Sequence, residues 1–133
     1  MTWNIDPPVE EVQVLLEAAF LYRDAKSWDH ARDIFQGVRS LRPQSEIPEI
    51  GLGTIAFHQG RFDAARKHYQ RALERNAESA WAQAHLAELA LFERNKEQAR
   101  EHAAEALRLD PDGPFGQMAR DVVKLVDVVE FKS

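Results

Sequence analysis

The amino-acid sequence predicts an all-α fold: three helix-turn-helix units stacked into a solenoid and closed by a C-terminal helix. Three observations predict it. Small and apolar residues recur at a step of 34, as in Ala31, Ala65 and Ala99, or Val38, Ala72 and Ala106. Within each unit such residues fall three and four apart, the spacing of one helix face. A turn signal interrupts each unit midway, and Pro43 and Pro111 stand where a helix cannot continue. Repeats of this length bury their apolar faces only by stacking on their neighbours.

The elements follow in order. Asp6 and Pro7 suit an N-cap and first turn, so the opening helix is expected to start there. Ala25-Lys26-Ser27 reads as a turn, with a second helix near 28–40. The stretch PEIGLGTIAFHQ (48–59) places Ile50, Leu52, Gly53 and Ala56 close together on a helix. Gly60 breaks it, and FDAARKHYQRALERN (62–76) follows with Phe62, Ala65, Tyr69, Ala72 and Leu73 at helical spacing. Gly53 and Ala65 are small because antiparallel helices that cross closely leave no room for more. A third turn is expected near Arg94-Asn95, and its second helix near 96–109. Further columns join Phe35, Tyr69 and Ala103, and Ala19, Gly53 and Ala87. The units are placed at 12–45, 46–79 and 80–113 of a single domain spanning 1–133.

Residues from about 114 to 131 read as the final helix, with Phe115, Met118, Ala119, Val122, Val126 and Val129 as its apolar stripe. Val123, Leu125 and Val128 widen that stripe. A solenoid needs a terminal cap with one wet face. The same apolar surface suits filling of a groove or contact with a partner.

Composition excludes several classes of function. The chain has 133 residues and no Cys, so a Cys nucleophile, a thiolate zinc site and disulfides are ruled out. A formal net charge of −5 argues against nucleic acid as a partner, which needs a concentrated basic surface. MTWNIDPP lacks a basic region followed by an apolar run, so no export signal is expected there. No apolar run approaches the ~20 residues of a membrane span, so no membrane insertion is expected. A cytoplasmic location fits these features.

Chemistry finds little purchase. Histidines stand at 30, 58, 68, 85 and 102, none four apart, and HExxH does not occur. Gly51 and Gly53 lie in a helix with no GKS or GKT after them, so they form no phosphate loop. No catalytic residue, metal site or cofactor is assigned. An enzymatic reading needs a pocket joining His58 or His85 to Glu88. The stretch GRFDAARKHYQRAL (60–73) holds Arg61, Arg66, Lys67, His68 and Arg71, which read as a solvated outer face or a patch for an acidic partner.

The period of 34, the small first-helix residue, the Ala-x3-aromatic steps Ala31/Phe35 and Ala65/Tyr69, and the closing Pro resemble the tetratricopeptide repeat. The chain departs from that pattern where its first-helix Trp is replaced by Leu15, Glu49 and Gln83. The resemblance implies a right-handed α-solenoid whose first helices line a concave groove. Carried over by spacing, that groove comprises Gln13, Leu16, Phe20 and Arg23; Ile47, Ile50, Thr54, Phe57 and His58; and Trp81, Ala84, Glu88, Leu91 and Phe92. Repeats that grip a C-terminal carboxylate use Lys, Asn and Arg on this face. Here Leu16, Phe20, Gly51, Trp81 and His85 stand there instead.

An apolar groove suits an amphipathic helix laid against it, with Trp81 and Phe57 as its aromatic anchors. A small, acidic, three-repeat chain with the phrase ARDIFQGVRSLRP (31–43) is similar to bacterial type III secretion chaperones of the needle-subunit class. That similarity implies a chaperone-like module holding an amphipathic helix of a partner such as a needle subunit. A second small co-chaperone or self-association is a further implied contact. The alternative is a scaffold or homo-oligomerisation module without chaperone activity.

Overall fold

The computed structural model describes residues 9–129. They form α1 (Val9–Asp24), α2 (Trp28–Leu41), α3 (Ile47–His58), α4 (Phe62–Arg75), α5 (Ala80–Phe92), α6 (Lys96–Leu109) and α7 (Pro114–Val128). Consecutive helices pack pairwise, and α1 with α3, and α3 with α5, also meet side by side. The fold is the expected helical solenoid. The Asp6-Pro7 start expected for the first helix lies outside the described residues. The last helix stops at Val128, short of the expected 131: Val129 has extended backbone (φ −85°, ψ 121°), and 130–131 lie outside the described residues.

One turn is built three times. Lys26, Gly60 and Arg94, each 34 from the next, adopt positive φ of 61°, 75° and 63°. In each, the amide of the following residue reaches back across the turn: Ser27 to Tyr22 O at 2.8 Å, Arg61 to Ala56 O at 2.8 Å, Asn95 to Ala90 O at 2.9 Å. This satisfies carbonyls that a helix end otherwise leaves bare. Only at Gly60 does the residue type match the backbone; at Lys26 and Arg94 the Cβ opposes it.

Packing explains the small residues. The Phe35 ring of α2 lies against Gly51, and the Tyr69 ring of α4 against Gly53, so α3 is approached by an aromatic from either side. A Cβ at Gly51 would sit 2.7 Å from Phe35 Cδ1, and one at Gly53 2.7 Å from Tyr69 Cδ1. In the third unit the pair becomes Ala87 and Ala103, both fully buried among alanines of α5 and α6 and the inner face of α7. Ring and glycine are thus exchanged together for two methyl groups.

Polar contacts repeat at the same step. Arg32 faces Gln59 Oε1 (3.5 Å), Arg66 pairs with Glu93, and Arg100 pairs with Asp127 (2.6 Å). Each joins the second helix of one unit to the next helix pair or to the cap. The column that lacks Trp is rebuilt as a polar pair. Glu49, 2% exposed, holds His68 Nδ1 at 2.9 Å and lies 3.7 Å from Arg39, while Gln83 Oε1 accepts from His102 Nδ1 at 2.8 Å. The basic stretch 60–73 is therefore partly structural: Arg66, His68 and Tyr69 are engaged inside the array, whereas Lys67 and Arg71 face solvent.

Three outcomes follow for stability. Gly53→Ala forces the Tyr69 ring out of its seat and is expected to cost about 1–3 kcal/mol in urea unfolding. Arg94→Gly relieves the left-handed strain and is expected to gain about 0.5–1 kcal/mol in the same assay. Burial holds the pKa of His102 below its ordinary value, so the unfolded chain takes up a proton that the folded chain does not. Stability contributed by this neutral, half-buried ring is complete above pH ~6.5 and declines as the pH falls below it. His102→Gln is expected to flatten that acid-side decline in the urea midpoint.

Candidate functional site

The first helices α1, α3 and α5 present a cleft of about 430 Å³. Its walls are Val9, Val12, Leu16, Phe20, Ile47 and Trp81, with Gln13, Glu17, Arg42 and Ser45 around the rim. The floor is an aromatic row. Phe35 meets Phe20 edge-on at 4.9 Å, Phe20 stacks on Trp81 at 5.8 Å, and Trp81 stacks on Phe115 of α7 at 5.5 Å. Offset rings at these distances hold one another in place. The row runs from the core of the first unit to the cap.

One end of this surface is fixed by Arg23. Its guanidinium lies 4.9 Å above the Phe20 ring, donates to Thr54 Oγ1 at 3.1 Å, and pairs with Asp24 at 2.8 Å. Thr54 Oγ1 in turn donates to Gly51 O at 2.8 Å. Arg23 is committed to the scaffold through all three contacts.

The structure divides the expected groove. Leu16, Phe20, Ile47 and Trp81 come together in the cleft, with Gln13 at its edge. Ile50, Thr54 and Ala84 are buried beneath the face rather than on it. Leu91 packs against the cluster that α5, α6 and α7 share, so the cap occupies that part of the stripe. Glu88 is half-buried, with His85 Nδ1 3.5 Å from its carboxylate. Phe57 belongs to a second aromatic group near the turns, 5.6 Å from Phe62 and 5.0 Å from Phe92. There Phe92 is 59% exposed, and His58 stacks on Trp28 at 6.0 Å.

Sequence reasoning did not include Val9, Val12, Glu17, Arg42 or Ser45 in the groove, nor Phe115 in the aromatic row behind it. For Phe115 a signal existed: it stands 34 after Trp81, which stands 34 after Ile47. Val9 and Val12 carry no such mark, since the pattern fixes a column and not which side of α1 remains open.

Residues 56–120 match the family model of the tetratricopeptide repeat. No curated protein matches the chain in sequence. Among solved structures, the chain is similar to the type III secretion chaperone SycD of Yersinia enterocolitica in complex with a peptide of the translocator YopD (18% identity, 91% of this chain and 95% of that one, TM-score 0.76). It is similar to PcrH of Pseudomonas aeruginosa (21% identity, 92% and 96% covered, TM-score 0.77). It is also similar to the first repeat domain of Spaghetti (RPAP3) bound to the HSP90 peptide SRMEEVD (17% identity, 93% and 96% covered, TM-score 0.76). At these identities the likeness is one of fold. The same fold carries an HSP90 peptide in one neighbour and a translocator peptide in another, so the cleft's own chemistry has to indicate a partner.

Proposed function

We propose that this tetratricopeptide repeat protein is a chaperone-like binding module that holds an amphipathic segment of a protein partner in the α1/α3/α5 cleft. The observation that carries the proposal is the apolar, aromatic-floored cleft made by Leu16, Phe20, Ile47 and Trp81. Its mechanism involves no bond chemistry. The partner's apolar side chains leave water against these walls, each contributing about 1–2 kcal/mol before association costs. A partner so held is kept from aggregating or assembling early.

The neighbours support a secretion chaperone and refine the partner class. SycD and PcrH are described with segments of translocators, YopD and PopD, rather than with needle subunits. The reading therefore shifts from a needle subunit to a translocator-like segment. An HSP90-type C-terminal peptide is disfavoured, because no Lys or Asn stands among the described residues that line the cleft, and the nearby Arg23 is engaged with Thr54 and Asp24. No described helix is long and apolar enough to cross a membrane. A cytoplasmic site of action belongs to the proposal.

A scaffold or homo-oligomer is the second reading. It is favoured by the outer face of α1, where Val14 and Leu21 are 62% and 70% exposed. Sedimentation equilibrium over a hundredfold concentration range separates the two: a monomer throughout removes the second reading.

Ile47→Glu tests the first. Position 47 opens α3, where a carboxylate favours the helix dipole, so the fold should tolerate it. Co-purification from the native cell is expected to recover the partner with the unaltered chain and at least tenfold less with Ile47→Glu, at unchanged far-UV circular dichroism. Undiminished recovery with Ile47→Glu, together with loss in Phe92→Glu, would move the site to the turn-end aromatic group.

A further inference from the structure

A pair of clefts on the opposite side of the array is related by the repeat. One, of about 180 Å³, lies where α2 meets α3 and α4; the other, of about 240 Å³, lies where α4 meets α5 and α6. Their walls correspond at the step of 34, with Arg32 matching Arg66 and Gln59 matching Glu93. Their charges do not correspond. In the second cleft Arg66 is held by both Glu93 and Asp63. In the first, a neutral Gln59 stands 3.5 Å from Arg32, whose one ion pair among the described residues is with Asp29, a side chain 92% exposed. An exposed i,i+3 pair of that kind is weak and readily displaced.

The first cleft also contains a second cation. Arg61 lines it and has no side-chain partner among the described residues. Arg61 occupies the N-cap of α4, where it makes no side-chain cap; the matching residue of α6, Asn95, caps its helix by accepting from Gln98 N at 3.1 Å. An Arg in place of Asn forgoes about 1 kcal/mol of helix stability. Local rules broken without a local gain mark functional positions.

We propose that this cleft is a docking site for an acidic side chain of a protein partner. Arg32 and Arg61 receive the carboxylate, and the apolar wall of Leu52, Ile55 and Ala64 takes the methylenes behind it. A Glu side chain combines both features, whereas a free oxyanion uses only the first. The site lies apart from the aromatic cleft, so one partner chain can engage both. The inference does not depend on what fills the aromatic cleft.

The test is a 15N–1H titration of the full chain with hexaglutamate peptide, and separately with inorganic phosphate, at constant ionic strength. A chain of net charge −5 has no general attraction for a polyanion, so binding reports the local site. Hexaglutamate is expected to give saturable shifts at Gln59, Arg61 and the Arg32 side chain, and none at Arg66. Gln59→Glu rebuilds the closed arrangement of the second cleft and is expected to weaken binding at least tenfold. Arg61→Asn is expected to weaken it as much while raising thermal stability, which separates lost binding from lost folding. Equal shifts in both clefts, binding retained in Arg61→Asn, or phosphate saturating the site as tightly as hexaglutamate would each overturn the proposal.

Discussion

Two aromatic rings determine how closely α3 can lie between its neighbours. Phe35 presses on Gly51 from one side and Tyr69 on Gly53 from the other. Because neither glycine has a side chain, the helices approach until ring meets backbone, and dispersion contacts replace what a void would forfeit. The central helix is thereby set at a defined depth. Its first residue, Ile47, comes to the mouth of the cleft, and Thr54 comes within reach of Arg23. The concave surface depends on this seating more than on any contact within it.

The remainder of the fold extends that arrangement by repetition. The left-handed turn recurs at Lys26, Gly60 and Arg94, and the bridging arginine at Arg32, Arg66 and Arg100. Individually, exposed ion pairs contribute little. Their value here is in register, since the Arg66–Glu93 and Arg100–Asp127 pairs, like the Arg32–Gln59 hydrogen bond, each tie one unit to the next element of the array. The cap obeys the same rule. Helix α7 begins 34 residues after α5, and its Phe115 extends the stack formed by Phe20 and Trp81.

Much of this was legible because repeat columns are a strong signal. Ala31, Ala65 and Ala99, picked out by spacing alone, are all fully buried. The binding surface was less legible, for a geometric reason. Successive residues on a helix turn by about 100°, so a stripe chosen by spacing covers both the open face and the flank that meets the next helix. Ile50 and Ala84 fell on the flank, and Leu16 and Ile47 on the open side. The replacement of Trp by Glu49 and Gln83 was visible, but its meaning was not. It resides in a partner 19 residues later, His68 or His102, which only the fold brings close.

The central claim is that the floor of Phe20 and Trp81 receives an apolar segment of a protein partner. Photo-crosslinking tests it most directly, with Ile47→benzoylphenylalanine at the cleft mouth and Lys67→benzoylphenylalanine on the outer face as the control. Irradiation in the native cell should join position 47 to a single partner, through a segment whose apolar residues fall at helical spacing, and should leave position 67 unlinked to that segment. Crosslinks to that segment from position 67 alone would contradict the account.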